Sequence, residues 1–195
     1  MSPPPKLRKH LHTRSVTFRG YQCEGDLWDI EAEITDVKDY AHLMPDGSTL
    51  DPGTRVHDML IRVTVDDSMT VRKIATSMAS APFAECQHSQ DPMQKMIGCT
   101  MGRGWRQAIE KNLGGVNGCT HLRELLFNMA TAAFQTIPAY REHQKRLAGQ
   151  SAPRTGEPPY QMGKCMSWDF EGPVVARLEP EFYRWQSLKR AVNPE

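Results

Sequence analysis

The stretch from Gly114 to Ile137, GGVNGCTHLRELLFNMATAAFQTI, constrains the fold more than any other. Leu122, Leu125, Leu126, Met129, Ala133 and Ile137 share one helical face by their spacing. A stripe of that kind needs a second layer to cover it. The glycine-rich turn before it places Cys119, Thr120 and His121 where the helix begins. A thiol and an imidazole there sit among unpaired backbone N–H groups and the positive end of the helix dipole, a setting that favours a thiolate. The helix is expected to stop near Pro138, with Tyr140 to Leu147 continuing as a charged helix.

The covering layer lies upstream. Trp28, Ile30, Ala32 and Ile34 alternate with Asp29, Glu31, Glu33 and Thr35, the period of a half-buried strand whose acidic face is solvated. Val16, Phe18, Gly20 and Gln22 show the same period more weakly. Glu24-Gly25-Asp26 is turn-like, so the two runs pair as an antiparallel hairpin. Met59, Ile61, Val63 and Val65 form the apolar face of a third strand; His57 shares their parity, and Asp58 points to the other face. Thr70 to Met78, rich in β-branched residues, is a fourth strand. Residues 40–54 and 79–91 read as loops, a short helix follows from Pro92, and Trp105 to Leu113 form a helix ended by Gly114-Gly115. Strands followed by helices predict an α+β fold, an antiparallel sheet of about four to five strands with helices packed on one face. The expected organisation is a flexible basic tail over 1–12, one domain over 13–147, a linker-like loop over 148–161 and an extension over 162–195. Val174 to Leu178 in that extension is a strand candidate for the sheet edge.

A formal charge of +1 gives no general attraction to nucleic acid or to an anionic membrane surface, and no apolar run approaches the length of a bilayer span. The N-terminus is basic and proline-rich, without the apolar core of a signal peptide. Five cysteines at irregular spacing do not look like a secreted disulfide framework, so a cytoplasmic protein is expected, its thiols packed, metal-bound or nucleophilic. A homo-oligomer is compatible with the sequence.

Chemistry has three candidate seats. The first is a metal site drawn from His57, Asp58, Cys86, Cys119 and His121, which fall at a strand start, a post-strand loop and a helix start. Side chains at element ends converge without breaking the core, and this mixture suits zinc ahead of iron. The bland alternative is that both cysteines pack as small buried residues and His57 is a hydrogen-bonded core histidine. The second seat is metal-free acid–base chemistry at His121 and Glu124, neighbours at helical spacing, against the alternative of an exposed polar stripe. The third is Cys119 as a thiolate nucleophile.

The runs LWDIEAEITDVKDY, VHDMLIRVTVDD, APFAEC, GRGW and GGVNGCTHLRELL with TAAFQTI resemble a bacterial family catalogued as a domain of unknown function. That resemblance implies a bacterial accessory or catabolic protein. The layout also resembles the U-type scaffold of iron–sulfur cluster assembly, in which a Cys-Gly-Asp precedes a strand, a Gly-Cys-Gly follows the sheet and a His-Cys opens a later helix. Asp58 matches the aspartate, Cys86 the middle cysteine and Cys119 the last. Val56 stands near the place of the first cysteine, Glu85 and Gln87 replace the glycines, and Gly118 replaces the histidine. Fewer thiolates remain than a cluster scaffold uses, so one divalent metal is the reading carried forward. The expected function is a metal-assisted lyase or hydrolase acting on a small molecule, one version being aromatic catabolism. His57, Cys86 and Cys119 would hold the metal, Asp58 would be fourth ligand or base, and His121 or Glu124 would move protons. The alternative is a non-enzymatic metal or iron–sulfur scaffold with a protein partner.

Overall fold

The computed structural model describes residues 7–150 and 156–185. The chain divides into two compact units, Met1–Gln150 and Ser151–Glu195.

In the first unit the alternating runs become four long strands, β1 (His12–Gln22), β2 (Leu27–Lys38), β5 (Arg55–Asp66) and β6 (Val71–Ser80), with a small hairpin of β3 (His42–Leu43) and β4 (Thr49–Leu50) between them. The long strands pair antiparallel in the order β1-β2-β5-β6. On β2, Trp28, Ile30, Ala32 and Ile34 are buried. The residues between them take the opposite face, which is tied by cross-strand pairs rather than simply solvated. Arg62 donates to Glu31 at 2.8 Å, Arg19 to Glu33 at 3.1 Å and the Thr64 hydroxyl to Asp29 at 2.6 Å. Opposite charges facing each other across strands fix register as well as solubility.

The helix α2 (Thr120–Leu147) covers the inner face, and α1 (Trp105–Leu113) packs against α2 and the 3-10 turn Asp91–Met96. The α2 stripe from Leu122 to Ile137 is fully buried, and α2 packs on β1, β2 and β5. Burying each such leucine or isoleucine contributes about 1.5–3 kcal/mol, so this helix fixes the core. Gly118 brings the start of α2 against the end of α1: a Cβ there would lie 2.8 Å from the Leu113 carbonyl oxygen.

The structure corrects several sequence readings. α2 does not stop near Pro138 but runs through it. A proline removes one ladder donor, yet Ile137 remains buried and the Tyr140 ring meets Trp28 edge-on at 6.0 Å, so tertiary packing carries the helix onward. Residues 79–91, expected as loop, contain the 3-10 turns Ala84–Ser89 and the start of Asp91–Met96. The basic N-terminal segment is anchored by residue 10, where His10 pairs with Asp39, and β1 already begins at His12; residues 1–6 lie outside the described residues.

In the second unit, Val174 to Leu178 is not a strand. It belongs to the short helix α3 (Pro173–Leu178), because Gly172 caps it and Pro173 presets the first helical dihedral angle. Met162, Val175 and Phe182 form a small core of their own, with Trp168 and Phe170 against it. Residues 151–155 of the expected linker are outside the described residues.

Candidate metal centre

Every inward position of β2 from Trp28 to Ile34 is apolar, and the next inward position, Asp36, is a carboxylate that is 2% exposed. The strand register places Arg14 of β1 beside it on one side and His57 of β5 on the other. Three polar side chains therefore form one row across the inner face of the sheet. The N-terminus of α2 meets this row. Cys119 is its N-cap residue, and His121 and Glu124 lie in its first turns.

Asp36 is the centre of the arrangement. Arg14 grips it with two bonds, Nε to Oδ1 and Nη2 to Oδ2, each at 2.9 Å. His12 Nε2 lies 2.7 Å from Oδ1, and His57 Nδ1 lies 2.9 Å from Oδ2. Arg14 Nη1 also donates to Glu124 Oε2 at 2.9 Å, tying the edge strand to α2. Burial pushes the Asp36 carboxyl up, but the Arg14 and His12 hydrogen bonds and the charges of Arg14 and His57 outweigh it and hold the group well below the usual carboxylate range.

The His57 and His121 rings lie against each other, 4.0 Å between centroids and tilted by 38°. Burial, then the neighbouring His121, push His57 below the ordinary imidazole value against the pull of Asp36. Cys119 Sγ lies 3.8 Å from His121 Nδ1. Burial pushes this thiol up, but the His121 ring and the backbone N–H groups of Leu122 and His121 overcome it and leave the thiol below its ordinary value.

Donor atoms of Asp36, His57 and His121 all lie within 4.8 Å of one another. A carboxylate and two imidazoles at that spacing could hold a metal ion. The fit is tested by His57 Nδ1, which is sealed from solvent and makes no hydrogen bond, because Asp36 Oδ2 is close but badly aligned to accept one. The other orphaned atom among the described residues is Arg123 Nε, on a side chain that reaches Glu110 at 3.5 Å. Buried polar nitrogens without partners are rare, and a cation between His57 and Asp36 would satisfy this one.

Of the residues singled out in the sequence, His57, His121 and Cys119 come together here. Asp58 does not join them: it faces away, accepting from Arg55 Nη1 at 2.6 Å. Cys86 sits in the 3-10 turn Ala84–Ser89, partly buried against the core, its carbonyl accepting the Ser89 hydroxyl at 2.6 Å. Among the described residues Cys86 belongs to no group of three converging donor atoms. Glu124 turns to Arg14 and not to His121. Sequence reasoning missed Asp36, Arg14 and His12. The available signal was parity, since Asp36 continues the inward series of Trp28 to Ile34.

The aromatic residues gather elsewhere. Tyr21, Trp28, Tyr140 and His143 line a shallow groove of about 640 Å³ at the far end of β2. At about 3.3 Å per residue, Trp28 and Asp36 are roughly 26 Å apart along the strand. The groove is therefore not a substrate pocket for the Asp36 row. Trp105 is buried, its indole N–H donating to the Leu126 carbonyl at 2.8 Å, and Phe83 is exposed.

The fold and site thus define an α+β domain with a polar row closing one end of its sheet–helix interface. Residues 12–135 match the family described as Protein of unknown function (DUF2889), and the chain belongs to that family. No curated protein and no solved structure matches it significantly. Among the described residues, no helix is long and apolar enough to cross a membrane.

Proposed function

We propose that Asp36, His57 and His121 hold one divalent metal ion, zinc ahead of iron, and that Cys119 stands beside it as a fourth ligand. The protein would use the ion to polarise a substrate oxygen or activate a water, in a lyase or hydrolase step on a small molecule. The observation that carries this reading is the buried, unpartnered His57 Nδ1 beside Asp36. The lowered His57 and Cys119 values support it, because metals take a neutral imidazole and a thiolate. Glu124, half exposed at the edge of the site, would move protons.

Cobalt substitution tests the ligand set. The expected spectrum has the visible bands of a low-symmetry four-coordinate ion and a thiolate charge-transfer band that disappears in Cys119→Ser. A spectrum of octahedral, water-bound cobalt unaffected by His57→Ala would sink the proposal.

A second reading is favoured by one observation: both Asp36 oxygens already carry charged hydrogen bonds from Arg14. In that reading the site is metal-free, and Asp36 orients His57 and stabilises its charged form while the His57–His121 pair relays a proton. Substrate turnover persisting after chelation would select it.

A further inference from the structure

Asp36 has two oxygens and four neighbours on them. Oδ1 is 2.9 Å from Arg14 Nε and 2.7 Å from His12 Nε2. Oδ2 is 2.9 Å from Arg14 Nη2 and 2.9 Å from His57 Nδ1. An ion held between His57 Nδ1 and Asp36 would take the nearer oxygen, Oδ2, to which Arg14 Nη2 already donates. A guanidinium and a divalent cation compete for the same lone pairs and repel each other at this range.

The guanidinium has a second partner. Its Nη1 already bonds Glu124 Oε2 at 2.9 Å, and the Glu124 side chain is 49% exposed, so it has room to move with Arg14. We propose that Arg14 is a built-in competitor of the metal. It neutralises Asp36 when no ion is bound and withdraws onto Glu124 when one arrives. It thereby sets the affinity of the site and keeps the ion exchangeable. This inference rests on the metal reading of the site.

The sign of its effect is distinctive. Groups behind a metal ligand usually strengthen binding, and their removal costs roughly 10–100-fold in affinity. Those groups are mostly acceptors that raise ligand basicity, whereas Arg14 is a cation that draws charge from Asp36. Arg14→Gln is therefore expected to tighten metal binding, on the order of tenfold. Glu124→Gln acts in the opposite direction. It deprives the guanidinium of its alternative and weakens binding by roughly threefold, less because Glu124 is half exposed. An Arg14–Glu124 bridge that only braced the fold would weaken binding in both variants.

The test is zinc titration of the full chain against a chromophoric chelator, for the wild type, Arg14→Gln and Glu124→Gln, with circular dichroism to confirm folding. Tighter binding in Arg14→Gln with weaker binding in Glu124→Gln supports the competitor role. Equal or weaker binding in Arg14→Gln overturns it while leaving the metal site standing. No zinc uptake by any of the three overturns the metal reading and this inference with it. If Arg14→Gln does not fold, Arg14→Lys replaces it: it keeps the charge and loses the two-pronged grip, so tighter binding supports the role and equal or weaker binding overturns it.

Discussion

The two ends of the inner row of β2 share a strand, a sheet face and a covering helix, and they differ in what they leave unsatisfied. At one end Trp28 is buried, its indole N–H donates to Asp67 at 2.9 Å, and Tyr140 closes over its ring. At the other end Asp36 is equally buried but gathers three basic side chains, and His57 Nδ1 lacks a hydrogen bond. The nearby cysteines follow the same division. Cys23, beside the β1–β2 turn, is pushed up by burial and by Asp29, whereas Cys119 is lowered by His121 and the helix start. At the Trp28 end the buried indole N–H is paired and the packing around it stabilises the fold. An end that keeps charges and an orphaned nitrogen in the core does so at a cost in stability, which is the usual mark of a site.

The largest expected effect separates packing from site. Ile61→Ala, buried on β5 opposite Ala32 in the middle of that row, should cost about 2–5 kcal/mol in urea unfolding, whereas His57→Phe should cost under about 1 kcal/mol or stabilise, since it removes an unpartnered polar atom. A large loss in His57→Phe would mean that the imidazole is satisfied and would erase the contrast between the ends.

The next effect concerns Asp36. Its folded value lies below its unfolded one, so its contribution is fully present above the ordinary carboxylate value of about 4 and is lost as pH falls below it. Asp36→Asn should cost about 2–3 kcal/mol at pH 7, scaled down from a fully buried pair because Arg14 is partly exposed, and should flatten the acid limb of the stability curve. His57 has the same sign at higher pH. Its folded value is also lowered, so it destabilises the fold as pH drops below the unfolded imidazole value of about 6.5. Unfolding free energies measured from pH 8 to pH 3 should show both limbs, and His57→Phe should remove the upper one alone.

At the Trp28 end, a Cβ at Gly20 would collide with the Thr136 side chain. Gly20→Ala should cost about 1–3 kcal/mol by overpacking, read as a lower Tm without change in metal uptake. The smallest effect is chemical. Alkylation rates followed against pH should give a midpoint for Cys119 below the ordinary thiol value and one for Cys23 above it, with His121→Ala raising only the first. Equal midpoints would remove the electrostatic side of the comparison.

The apolar stripe of α2, the β1–β2 hairpin and the α+β order were legible because burial repeats with the period of each element. Pro138 misled because local propensity says stop while Ile137 and Tyr140 are held by the sheet. Val174 to Leu178 misled because so short an apolar run carries no period, and Pro173 decides it. At the site, His57 was visible from its parity with Met59. Asp36 was not, since an acid after Ile34 reads as the end of a strand. What makes it a buried charge is pairing with Arg14, 22 residues earlier, and with His57 on the next strand. Asp58 and Cys86 were chosen by order along the chain, and order does not say which way a side chain points.

The most direct measurement is elemental analysis of the 195-residue chain purified without a histidine tag or chelators. If Asp36, His57 and His121 hold an ion, the wild type should carry about one equivalent of zinc or iron, and the His57→Ala, His121→Ala double variant should carry none while remaining folded. Metal absent from the wild type even after reconstitution, or retained in full by the double variant, would contradict the assignment of a metal to the Asp36 row.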